Sequence, residues 1–127
     1  MSRVLGDPIS RRFAIPPMEF LDLGTIATAT YSIDLRGHLA AHVVAKFVPT
    51  DTADGLLLGV LGGYDGQMLT YYAVSDGSHN VTVTPDTATV TSYSGTGCGA
   101  TAGKGINITL FYWNGLWHRC AAQTTVV

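Results

Sequence analysis

Charge is scarce in this sequence. Asp, Glu, Lys and Arg make up 13% of the 127 residues, about half the share in an ordinary soluble domain. The 7 Lys and Arg nearly balance the 9 Asp and Glu, so no basic field recruits nucleic acid. Apolar runs approaching the roughly 18–20 residues of a membrane span are missing too, and no membrane partner is expected. Two cysteines, Cys98 and Cys120, are too few for a disulfide framework, and without a Cys-x-x-Cys pair they read as reduced structural thiols. The first seven residues hold one Arg and no apolar core, so no secretory signal is expected there. The sequons at Asn80 and Asn107 are then coincidental.

What is present is a 46% hydrophobic composition with 16 Thr, 7 Ser and 15 Gly. That excludes disorder for most of the chain. Surface scaling buries about two-thirds of the extended chain's area at this mass, enough for one real core. A surface covered by hydroxyl, glycine and apolar groups suits contact better than charge-based solubility. An oligomer or assembly component is expected.

Two regions differ in texture. Residues 1–22 carry Arg3, Arg11 and Arg12, three of the five prolines, and apolar side chains without a period. This predicts an extended N-terminal arm that orders on a partner. Residues 23–127 alternate strand-like runs with turn punctuation: Ala27 to Leu35, Leu56 to Leu61, Gln67 to Val74, Asn80 to Thr84, Ile106 to Trp113 and Leu116 to Ala122. Asp54-Gly55, Asp65-Gly66, Asp76-Gly77 and Asn114-Gly115 supply the positive φ of tight turns. The segment Gly37 to Val48 fits a strand with Leu39, Ala41, Val43, Ala45 and Phe47 on one face. Ser92 to Gly105 reads as a Gly-rich loop. The expected fold is all-β, a compact antiparallel β-sandwich or barrel-like domain of hairpins.

The last hairpin is the strongest local signal. A two-residue Asn114-Gly115 turn sets Trp113 against Leu116, Tyr112 against Trp117 and Phe111 against His118. One face then carries Ile106, Ile108, Leu110, Tyr112 and Trp117; the other carries Phe111, Trp113, Leu116 and Cys120. Both are apolar, so the second face must meet another sheet or another chain. Phe111, Trp113, Leu116 and His118 are the expected oligomer interface.

These segments together resemble a β-module of tailed-bacteriophage structural proteins, found in tail fibres, head fibres and small capsid-associated proteins. The resemblance rests on Asp34-Leu35 closing one strand, Gly66-Gln67 opening another, Val81 to Pro85, and an Asn-Gly turn leading to Trp117. It covers about residues 21 to 122. It implies a trimeric capsid decoration (cement) protein on the virion surface, made in the host cytoplasm, with itself and the major capsid protein as partners. The arm and Cys98 are not part of the module. Arg3, Arg11, Arg12, Phe13 and Ile15 are therefore expected to make the capsid contact, through bidentate arginine pairing and apolar burial. A receptor- or carbohydrate-binding fibre module is the alternative.

Enzymatic chemistry finds little support. His38 and His42 have zincin spacing, but Leu39 stands where the general base would be. On a strand the two would lie about 13 Å apart, too far to share a metal. Arg36, His38, His42 and Lys46 would then form a modest basic stripe, either solvated or facing an acidic surface. Most acids sit beside Gly or Pro in turns, where backbone capping explains them. Tyr71, Tyr72, Tyr93, Trp113 and Trp117 could stack on sugars, though core or interface roles are the commoner use. No enzyme activity, metal or cofactor is expected. Deleting residues 1–15 should leave the trimer folded and abolish particle binding; electron microscopy of decorated particles checks this, and wild-type occupancy would place attachment in the β-domain.

Overall fold

In the computed structural model the described residues are 17–53, 55–93 and 96–126, the side chains of 96 and 121–126 excepted. Among them there is no helix. The strands are β1 (Met18–Ile26), β2 (Thr30–Asp34), β3 (His42–Pro49), β4 (Leu56–Leu61), β5 (Met68–Val74), β6 (Thr82–Pro85), β7 (Thr96–Gly97), β8 (Gly105–Trp113) and β9 (Leu116–Val126). They form a five-stranded sheet in the order β1-β3-β5-β8-β9 and a four-stranded sheet in the order β2-β4-β6-β7.

The all-β expectation holds, but the antiparallel, hairpin-built arrangement does not. From β1 to β6 each strand joins the sheet opposite its predecessor's, so odd strands share one sheet and even strands the other. Met18 pairs with His42 and His42 with Met68, which puts neighbours about 25 residues apart, the length of crossover that parallel pairing requires. All four pairings among these six strands are parallel. Antiparallel pairing enters only with β7, β8 and β9. Asp54 lies outside the described residues; Gly55, Asp65-Gly66 and Asp76-Gly77 lie between strands of different sheets, and of these expected turns only Asn114-Gly115 closes a two-residue hairpin. Asn114 and Gly115 have φ of 52° and 91°, the left-handed pair that such a turn needs. The cross-strand pairs Trp113–Leu116, Tyr112–Trp117 and Phe111–His118 are those expected.

Turn chemistry explains most of the acids. Oδ1 of Asp22, Asp34, Asp51, Asp76 and Asp86 each accepts the amide N–H two residues on, so these carboxylates are fixing bends. Three other expectations need adjustment. Strand β1 includes Met18 to Asp22, so the end of the expected arm is sheet. The loop from Ser92 to Gly105 contains β7. Strand β3 starts only at His42: Gln67 Nε2 donates to the carbonyls of His38 and Ala40 and Tyr64 Oη to that of Leu39, which takes residues 38–41 out of the strand. Leu39 is thus 58% exposed instead of facing the core.

One hydrophobic cluster draws on both sheets: Val43, Ala45, Phe47, Leu69, Tyr71, Ile106, Ile108 and Leu110 from the larger, Ile33, Leu56, Leu58, Val60 and Val83 from the smaller. Trp117 ties three segments to it. Its indole N–H donates to the Gly62 carbonyl at 3.1 Å, its ring meets Tyr112 edge-on at 5.3 Å, and its backbone bonds Thr89 and Thr91. Gly63, at φ 119°, passes so close that a Cβ would stand 2.6 Å from Tyr112 and 2.8 Å from Trp117. Gly63→Ala is expected to cost about 2–5 kcal/mol from backbone strain plus overpacking. Gly66→Ala, with φ 91° and open space around it, should cost only about 1–2 kcal/mol; urea denaturation of both variants checks the contrast.

Candidate interaction surface

Alternation sends every second residue of the larger sheet into the core and leaves the others on the opposite face. Register aligns these in rows across the strands. Met18, His42, Met68, Phe111 and His118 form one row; Phe20, Val44, Thr70 and Thr109 form the next; Asp22, Lys46, Tyr72 and Asn107 form a third. None of these side chains is buried. The face is mixed: Met18, Phe20, Val44, Met68, Tyr72 and Phe111 stand among His42, His118, Thr70, Thr109 and Asn107, with Asp22 and Lys46 as opposite charges directly across from each other. Sheets with parallel strands ordinarily have both faces covered; here the described residues cover one. The corresponding face of the smaller sheet is different in kind, bearing Thr30, Ser32, Thr82 and Thr84 around Leu57.

The interface residues expected from the sequence all lie on or beside the uncovered face. Phe111 and His118 stack at 5.3 Å and 25°, His118 Nε2 donates to the Trp113 carbonyl at 3.3 Å, and Trp113 is 58% exposed. Leu116 is half-buried and Cys120 exposed. Arg3, Arg11, Arg12, Phe13 and Ile15 lie outside the described residues. The structure adds Met18, Phe20, Met68 and Tyr72 to the patch. A sequence signal for them existed in the period-2 pattern of β5, but without the strand order nothing joined them to the last hairpin.

A polar ladder crosses this face: His42 Nε2 is hydrogen-bonded to Thr70 Oγ1 at 2.7 Å, and Thr70 Oγ1 to Thr109 Oγ1 at 2.9 Å. His38, in the turn before β3, bonds Glu19 instead, Nδ1 to Oε2 at 2.9 Å. The two histidines therefore have separate partners. Arg36 is also engaged, its Nε and Nη2 donating to the two oxygens of Asp34 at 2.9 and 2.8 Å. The expected basic stripe is thus divided: Arg36 and His38 face acids of their own chain, while His42 and Lys46 belong to the mixed face. Among the described residues no group of three His, Cys, Asp or Glu could hold a metal ion.

The remaining titratable pairs are structural in character. Burial pushes the Tyr71 phenol up, helped by Tyr93, whose hydroxyl bonds it at 2.9 Å under the Arg119 guanidinium. Burial likewise raises the Cys98 thiol, which lowers thiolate reactivity. The His79 imidazole and the turn amides lower the Asp76 carboxyl. Compared with family models, with curated proteins and with solved structures, the chain gives no match in any of the three.

The Asp34 carboxyl is held down to about 2, first by its side-chain bond to Arg36 and next by the Arg36 amide. A depressed carboxylate contributes stability above its unfolded pKa and loses it as pH falls through the folded one. An NMR titration should place the Asp34 midpoint near 2. In Arg36→Gln it should move up toward the ordinary carboxylate range.

Proposed function

We propose that this chain is a non-enzymatic structural protein of a virion: a β-sandwich that associates as a homotrimer and decorates the head of a tailed bacteriophage, binding the major capsid protein. What supports self-association is the group of large side chains Met18, Phe20, Met68, Tyr72 and Phe111 on the outer face of the larger sheet, which the described residues leave uncovered. Burying five of its large side chains would contribute about 1.5–3 kcal/mol each, well above what exposed charge pairs could supply. The assignment to a phage head rests on the resemblance of the strand and turn pattern between residues 21 and 122.

One observation favours a second reading, a glycan-binding fibre module. Tyr64 and Trp113 are 40% and 58% exposed, and Asp65 beside Tyr64 accepts the Asn114 amide at 2.9 Å, so aromatic rings and a carboxylate share one surface. That Asp65 oxygen is committed to the hairpin turn, which favours the structural role. Light scattering behind gel filtration should give about three times the 13.4 kDa chain mass, and Trp113→Asp or Phe111→Asp should shift it toward one chain. A wild-type monomer at micromolar concentration overturns the trimer. Tryptophan fluorescence that responds to simple sugars would support the second reading.

A further inference from the structure

Three connections stack at one end of the strands: residues 35–41 between β2 and β3, 62–67 between β4 and β5, and the Asn114-Gly115 hairpin turn. Side chains join them. Gln67 and Tyr64 of the second bond carbonyls of the first, and Asp65 accepts the Asn114 amide N–H of the third. The first two connections line a cleft of about 350 Å³, at the small end of the sizes that hold a ligand. Tyr64 and Leu39 line it while remaining 40% and 58% exposed, and Gly62 and Gly63 line it with bare backbone.

Gln67 also lines this cleft, and its side chain is completely buried. Its Nε2 donates at 3.0 Å to the carbonyls of both His38 and Ala40. Those two acceptors fix the amide's orientation, since the reversed amide would set oxygen against both carbonyls. Oε1 is then an acceptor that no donor of the chain reaches, and among the described residues it is the one buried side-chain polar atom in that condition. Burial of such an atom is unfavourable until a donor arrives.

The charges beside the cleft are already engaged. Arg36 holds both Asp34 oxygens through Nε and Nη2, and His38 Nδ1 is bonded to Glu19. A charged ligand would have to compete with these pairs, so the site suits a neutral one. That ligand has to donate an O–H or N–H to Oε1 and lay an apolar surface on Tyr64. A sugar ring does both, with hydroxyls around its edge and C–H groups on its faces. We propose that this cleft binds one neutral hexopyranose unit, stacked on Tyr64, with a hydroxyl donating to Gln67 Oε1. The proposal goes beyond the decoration role; it rests on the glycan-binding reading and places the sugar in the cleft beside Tyr64 rather than on Trp113.

The test is an NMR titration of the full chain with glucose, galactose, mannose and N-acetylglucosamine, each to about 100 mM. The signals read are the Gln67 side-chain NH₂ and the amides of Gly62, Gly63 and Tyr64. At least one sugar should move them along a saturating curve of millimolar affinity, as one small ring gives, and inorganic phosphate should leave them in place. Tyr64→Phe, which keeps the ring and loses only the bond to the Leu39 carbonyl, should bind as the wild type does. Tyr64→Ala should bind about tenfold more weakly, and Gln67→Met, which lacks the acceptor, should not bind. If Gln67→Met does not fold, the Tyr64 pair and the Gln67 signals carry the test. Wild-type affinity in Tyr64→Ala, or a response confined to Trp113 and the Asn114 turn, overturns the cleft and keeps the glycan-binding reading. No response to any of these sugars overturns both.

Discussion

Parallel pairing of strands adjacent in space but not in sequence is the constraint from which the rest follows. Each of the strands β1, β3 and β5 must travel to the start of the next, and the chain makes that journey by laying down a strand of the other sheet. The return route is therefore itself part of the core. Turns at both ends have to redirect the chain between sheets rather than fold it back on itself, which is why glycines at positive φ and capping Asp residues gather there.

Trp117 and Gln67 show how the turns are stacked. Trp117 reaches from β9 to the Gly62 carbonyl, and Gln67 reaches from one turn to two carbonyls of the preceding one. Both are almost completely buried. Each satisfies backbone groups that a loop would otherwise leave unpaired away from water. The core is consequently knit along the direction of stacking as well as across the sheets.

This architecture also gives the two sheets different outer faces. The segment from Asp86 to Thr91 returns beside the smaller sheet, with Thr89 Oγ1 accepting the Val60 amide N–H at 3.0 Å and standing near Gly59. Among the described residues nothing comparable crosses the face bearing Phe20, Met68 and Phe111. One outer face is rich in hydroxyl groups and the other carries Phe20, Met68, Tyr72 and Phe111, and exposed apolar groups gathered on one face suit an interaction surface. It gives the proposed trimer a physical basis independent of the resemblance.

Local order was legible in the residues themselves. Leu56 to Leu61 coincides with β4, the Asn114-Gly115 hairpin has the expected register, and turn acids cap their own backbones, because alternation, positive φ and short-range hydrogen bonds act over a few residues. The apolar second face of the last hairpin was visible for the same reason. Strand direction was not, since Asp-Gly punctuation serves a hairpin and a crossing between sheets equally well. Nor could the pattern of β1 or β5 say that Phe20 and Met68 share a surface with Phe111. Those residues are brought together by pairings that span tens of residues, and long-range pairing is settled by how the whole core packs rather than by any segment's own preference.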